Sequence, residues 1–250
     1  MSVQSETELI HEIARLRAEL SERDREAAAK ERQLERYAAD LRETFKQERS
    51  RAQELRRSYT ETVRALSNAV EARDAYTGKH AERVAAYGLE IAFALGLRLT
   101  ERPELEFGFL LHDVGKVAIP DAILYKPGPL TEEERALMEQ HPVIGAQIVS
   151  GIEFMDEAVE VVRSHHERWD GQGYPDRLGG DAIPLAARVF AVADVLDALT
   201  TERPYRPASP LPDAREMIVS ESGTHFDPRV IEAFNSIEDQ TFERIAAQIG

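Results

Sequence analysis

All 14 glycines and all 12 prolines of this chain lie beyond Thr77; the first are Gly78 and Pro103. The preceding stretch has no chain breaker and is rich in Ala, Glu, Arg and Leu, all good helix formers, so it reads as one long helix. A seven-residue series runs through it: Ile13, Leu20, Ala27, Leu34, Leu41, Glu48 and Leu55. Such a repeat keeps one stripe on one side of a supercoiled helix. The second seam is thinner, because Leu16 starts it but Arg23, Lys30 and Arg51 hold later positions. Phe45, Ala52, Tyr59 and Leu66 make a further row at the same spacing on an adjoining face. So few apolar residues do not stabilise an isolated helix. The stretch is therefore read as a coiled coil whose packing stripe shifts along its length, joining a parallel homodimer. The expected division is a coiled-coil helix over 1–70 and a second domain over 71–250.

The two parts differ in charge as well as in breakers. Residues 1–77 hold 15 basic and 16 acidic residues, a net of −1. Residues 78–250 hold 16 basic and 30 acidic, a net of −14. A field of that sign excludes general nucleic-acid binding, which needs a basic surface. The absence of cysteine excludes disulfides, Cys-based zinc sites and thiol nucleophiles. No uncharged apolar run approaches the ~18 residues a membrane helix needs, so no membrane insertion is expected. Residues Met1 to Glu6 are polar and show no signal-peptide core. A soluble cytoplasmic protein is the resulting expectation.

The second part reads as all-α. Val84, Tyr87, Ile91 and Leu95 recur at helical spacing, and Gly96 ends the run. Thr131 with Glu134 forms a capped helix start. Ala186 to Thr200 is apolar on a helical period, with Asp194 and Asp197 on one side. No sustained period-two alternation marks a strand. The proline-rich stretches 127–129 and 204–212 read as ordered turns.

Six of the seven histidines fall in this part: His80, His112, His141, His165, His166 and His225. Neutral imidazole and carboxylate are ligands for divalent metals. A carboxylate on an apolar helix, such as Asp194, is costly to bury unless something positive compensates it. Neighbours on a helix diverge by ~100°. His112-Asp113 and His165-His166 therefore converge on one centre only near helix ends or around two ions. Gly115, Gly171 and Gly173 place turn signals just after both pairs. His225, in a Gly-Thr-His-Phe-Asp-Pro turn, reads as structural. Trp169 reads as packing its loop, and Asp170 and Asp197 serve equally as turn or capping residues and as partners of metal ligands.

From about Ala72 to Phe234 the chain resembles the HD-GYP domains, a subset of the HD metal-dependent phosphohydrolases. The resemblance rests on an ordered set of motifs. These include His80-Ala-Glu-Arg-Val84, Leu110-Leu-His-Asp-Val-Gly-Lys116, His141-Pro142 with Gly145, and His165-His-Glu-Arg-Trp-Asp-Gly-Gln-Gly-Tyr-Pro175. Ala193-Asp-Val-Leu-Asp-Ala-Leu199, Arg203-Pro-Tyr-Arg206 and Gly223-Thr-His-Phe-Asp-Pro228 complete it. The resemblance implies a helical domain of about seven helices and a phosphodiesterase that opens cyclic di-GMP. It implies metal ligation by His80, His112, Asp113, His141, His165, His166 and Asp194, with Asp113 as the bridge. It also implies that Lys116 faces the scissile phosphate or the nucleophile. Gly173, Tyr174 and Pro175 would form a loop beside the site, and Arg203 and Arg206 would bind phosphate.

Some family members carry a Glu four residues before the first His that helps to hold a third metal; here Tyr76 stands at that position. The expectation is therefore two divalent ions, iron or manganese, and a linear dinucleotide product. Arg177, where glycine is usual, and the order Gly78-Lys79 are smaller departures that remove no ligand.

Overall fold

The computed structural model describes residues 3–73, 79–97, 104–202 and 207–249, with side chains from residue 9 onward. The chain divides into two compact units, Met1–Ser58 and Tyr59–Gly250.

The described residues of the first unit are all helical. They belong to α1, which runs Val3–Glu71 without interruption, as a stretch free of Gly and Pro predicts. Its heptad side chains Ile13, Leu20, Leu34, Leu41 and Leu55 are all exposed. Ion pairs one turn apart, such as Arg15–Glu12 at 2.6 Å and Arg51–Glu48 at 3.1 Å, decorate the surface. Exposed pairs of this kind add little stability.

The second unit begins earlier than the expected 70/71 boundary because the end of α1 is part of it. Val63, Ser67 and Glu71, spaced four apart on one helix face, are all buried. Ten helices follow among the described residues: α2 His80–Ala94, α3 Glu104–Leu111, α4 Asp121–Leu124, α5 Glu132–Met138, α6 His141–Val149, α7 Asp156–Ser164, α8 Leu185–Thr200, α9 Leu211–Ser220, α10 Pro228–Asn235 and α11 Asp239–Ile249. Short 3₁₀ turns form at Val114–Ala118 and Gly180–Ala182. The all-α expectation holds, and no strand forms among the described residues. The helices outnumber the seven expected because several are only one or two turns long, as frequent Gly and Pro dictate.

Local signals behave as the sequence suggests. Gly96 adopts φ +80 and ends α2, with the Leu97 amide donating to Ala92 O. The Thr131 hydroxyl accepts from the Glu134 amide at 3.3 Å, and the Glu134 carboxylate accepts from the Thr131 amide at 2.8 Å. This reciprocal cap starts α5.

Helix α8 is the centre of the unit. Val189, Phe190, Val192, Ala193 and Leu196 are fully buried along it, and α2, α7 and α9 pack on it. A helix apolar on nearly every side is a core helix. Phe190 lies with its ring centroid 4.7 Å from His112 and 5.7 Å from His165. The hydrophobic core thus backs directly onto the histidine cluster.

Candidate metal centre

Three of the histidines follow helix C-termini. His112 comes directly after α3, His165 directly after α7, and His141 three residues beyond the end of α5. The last carbonyls of a helix lack intrahelical N–H partners. Each ring turns back and donates its Nδ1–H to the carbonyl three residues earlier. His112 donates to Phe109 O at 2.9 Å, His141 to Met138 O at 2.8 Å, and His165 to Val162 O at 2.8 Å. A carbonyl only accepts, so Nδ1 carries the proton and Nε2 presents its lone pair inward. His80 does the same from the first turn of α2, with its Nδ1 2.7 Å from Asp197 Oδ2. Partners of this sort fix both the tautomer and the ring orientation of a metal-binding imidazole.

The lone pairs converge in two groups. Asp113, His141, His165 and His166 form one; His80, His112 and Asp194 form the other. Within each, one ligand atom from every residue lies within 4.8 Å of the others. Asp113 touches both groups. Its Oδ1 is 3.3 Å from His141 Nε2 and 3.9 Å from His165 Nε2, while its Oδ2 is 3.1 Å from His112 Nε2. Asp194 Oδ1 sits 3.4 Å from His80 Nε2. Lys116, one turn after Asp113, brings Nζ to 2.7 Å from Asp113 Oδ2.

The residues fit metal ions. His141 Nε2 and His165 Nε2 stand 3.2 Å apart. Both rings carry their protons on Nδ1, so two lone pairs face each other with no hydrogen between them. A divalent cation satisfies that arrangement, and an all-N/O donor set suits iron, manganese or zinc.

The electrostatics of the two groups differ. Burial holds His165 well below the ordinary imidazole range, aided by His166, His141 and His112. Burial likewise lowers His166 to about 3. Both are neutral bases at physiological pH, as ligands must be. His80 is shifted the other way: burial pulls it down, but the carboxylates of Asp197, Asp194 and Asp113 outweigh that and raise it. Burial pushes Asp113 up, yet Lys116, His112 and His141 prevail and hold it well below the usual carboxylate range.

The loop after His166 closes one side. The Tyr174 ring stacks on His166 at 4.6 Å, and the Tyr174 amide donates to His166 O at 3.3 Å. Gly173 is required there, since a Cβ would meet His166 O, Glu167 Cα and Arg168 N at 2.5 Å. Gly115 has a similar role: a Cβ would lie 1.9 Å from His141 O, so only glycine lets the Lys116 turn approach α6. Pro175 continues the loop through a cis bond. Arg177, at the position where the family pattern has glycine, adopts φ +55. That left-handed conformation is the physical reason for glycine there.

All seven predicted ligands, Lys116 and the Gly173–Pro175 loop converge on one centre. Arg203, Arg206 and Tyr76 lie outside the described residues. Asp197, whose role the sequence left open, is revealed as the partner of both His80 and Arg83, its Oδ1 2.6 Å from Arg83 Nε. Two residues escaped the sequence reading. Glu167 is buried and accepts the amides of Asp176 at 2.7 Å and Leu178 at 3.0 Å, bracing the loop. Glu71 caps α2 from another helix. Neither has a periodicity signal; Glu167's position directly after His165-His166 was the only hint.

Fold and site together define a helical domain built around two adjoining histidine–aspartate groups that could hold metal ions. Residues 64–230 match the HD domain family, and the chain belongs to that family. A 3′3′-cGAMP-specific phosphodiesterase 2 of Vibrio cholerae is 45% identical over 181 residues, covering 72% of this chain and 35% of that protein. The cyclic di-GMP phosphodiesterase response regulator RpfG of Xanthomonas campestris is 45% identical over 175 residues, 69% of this chain and 46% of its own length. A cyclic di-GMP phosphodiesterase of Thermotoga maritima is 41% identical over 182 residues, with coverage of 72% and 50%. The chain thus spans about a third to a half of the length of these relatives. A cyclic GMP-AMP-specific phosphodiesterase structure from Vibrio cholerae shares the fold, with a TM-score of 0.57 at 22% identity over 76% of this chain and 54% of that one. Among the described residues no helix is long and apolar enough to cross a membrane.

Proposed function

We propose that this chain is a metal-dependent phosphodiesterase that hydrolyses cyclic di-GMP to the linear dinucleotide pGpG. The observation that carries this reading is the divided carboxylate of Asp113, with one oxygen toward each histidine group. His80, His112 and Asp194 would hold one ion and His141, His165 and His166 the other, with Asp113 between them. Two divalent ions, iron or manganese, would supply Lewis-acid charge and lower the pKa of water to near neutrality.

The chain's own groups account for the rest. Hydrolysis adds water across a phosphodiester P–O bond and leaves a sugar oxygen that needs a proton. The ammonium of Lys116, held beside Asp113, would neutralise charge growing on the phosphoryl oxygens, and it or a metal-bound water would give that proton. The Nδ1 tethers keep the histidines aimed throughout. Tyr174 packs over His166 and excludes water from that side. Arg203 and Arg206 are proposed to grip the non-reacting phosphate. The domain is strongly acidic by sequence, so attraction of the dinucleotide is local rather than from the overall field. The exposed heptad row of α1 supports a homodimer formed through that helix, acting in the cytoplasm.

A second substrate has support, because a relative at 45% identity is named for 3′3′-cGAMP. Anaerobically purified, manganese- or iron-loaded protein should be given cyclic di-GMP and 3′3′-cGAMP separately and the linear products separated by chromatography. Faster production of pGpG is expected. Preference for 3′3′-cGAMP would replace the substrate assignment. Tight binding of both without turnover would make the chain a cyclic-dinucleotide effector instead.

A further inference from the structure

The end of α1 touches the segments that carry His80, His112, Asp113 and Lys116, while Asp194 lies on α8. Ser67 Oγ donates to Leu110 O at 2.7 Å, two residues before His112. Arg73 Nη1 donates to Val117 O at 2.8 Å, next to Lys116. Glu71 reaches the start of α2: its Oε1 accepts from the Ala81 amide at 2.5 Å and its Oε2 from the Lys79 amide at 3.0 Å. These two amides flank His80. Glu71 also lines a small cavity together with Ser67, Val70, Ala81, His112 and Asp113.

Helix α2 has no cap of its own. The residue before it, Lys79, is left-handed at φ +82 and supplies no side-chain acceptor. The first amides of a helix need acceptors from elsewhere, and a carboxylate there is further favoured by the helix dipole. Glu71, itself buried, meets both needs from a different helix. His80 is the first residue of α2, so a shift of this turn moves its ring directly. The ring is held on its far side by Asp197 and has its Nε2 3.4 Å from Asp194 Oδ1. Backbone and ring are thus anchored separately, by Glu71 and by Asp197.

We infer that Glu71 is a positioning residue for the His80–His112–Asp194 metal site, fixing His80 through the amides on either side of it. This rests on the two-ion reading given above. It makes the occupancy of one metal site depend on the last turn of the helix that enters the domain. Partners that orient a ligand commonly change metal affinity by about 10–100-fold.

The test is manganese binding to the metal-stripped full chain, by calorimetry with elemental analysis of the dialysed protein, for wild type and Glu71→Gln. The glutamine keeps the shape and one acceptor oxygen, so it preserves folding, which circular dichroism verifies. Wild type should take two ions per chain. Glu71→Gln should bind one with unchanged affinity and the other at least about tenfold more weakly, while Glu71→Asp recovers part of the loss. Two ions bound by Glu71→Gln with wild-type affinities, whatever its thermal midpoint, would overturn the inference and leave the two-ion reading intact. Fewer than two ions on wild type would defeat the two-ion reading and this inference with it.

Discussion

His141 and His165 are aimed by carbonyls three residues away in their own turns, whereas His80 is aimed by Asp197, 117 residues away in sequence. The first arrangement forms as soon as α5 and α7 end. The second exists only when α1, α2 and α8 have packed. The former group is dominated by burial, which lowers His165 and His166; the latter by carboxylates, which raise His80. The two groups thus differ at one residue above all: His112 is aimed by a local carbonyl as His141 and His165 are, whereas His80 depends on long-range charge pairing.

Asp113 is the residue common to both halves, so Asp113→Ala is the most damaging change. It should abolish turnover and reduce bound manganese below one ion per chain by elemental analysis. Retention of two ions would show that the halves do not share this carboxylate. Asp197→Asn comes next. It removes the charge that orients His80 and pairs with Arg83, and should weaken one ion by about 10–100-fold while the other keeps its affinity. Equal weakening of both ions would erase the distinction between the halves.

The halves should also titrate with opposite sign in metal-free protein. As pH falls below 6.5, the unfolded chain protonates His165 and His166 while the folded chain resists. Stability therefore drops between pH 6.5 and about 3, the value of folded His166. His80, raised above 6.5 in the folded state, contributes stability that is full below 6.5 and fades as pH rises through its folded value. Thermal melts against pH should show the acid-side loss, and His166→Asn should flatten it. An unchanged acid slope in that variant would remove burial of His166 as its cause. The smallest effect expected is at Arg177, left-handed at φ +55. Arg177→Gly should stabilise the fold by up to about 1 kcal/mol, the strain of a side chain in that region, read as a small rise in thermal midpoint with no change in metal content.

Much of the centre was legible beforehand because its chemistry is carried by rare residue types in ordered motifs. The scarcity of histidine and the glycines after His112-Asp113 and His165-His166 pointed to helix ends, and the structure puts two of these histidines there. The helix over the first part was legible for the opposite reason, the absence of any breaker. Glu71, Asp197 and Glu167 were harder to read. Acidic residues are common in this chain, with 46 Asp and Glu, and nothing in spacing separates a carboxylate that caps a distant helix from one that faces solvent. Where α1 joins the second unit was hard to read for a related reason. A helix continues on local propensity, but where it becomes part of a core depends on what packs against Val63, Ser67 and Glu71.

By itself, then, the sequence determined the all-helical character, the family and the seven candidate ligands, since propensity, breakers and rare metal-binding side chains act locally or in fixed order. Only the tertiary structure decided which candidate ligands fall in the same group and which carboxylates hold them. Those choices depend on distances of about 3 Å between residues far apart in the chain, and packing around Phe190 and α8 is what sets them.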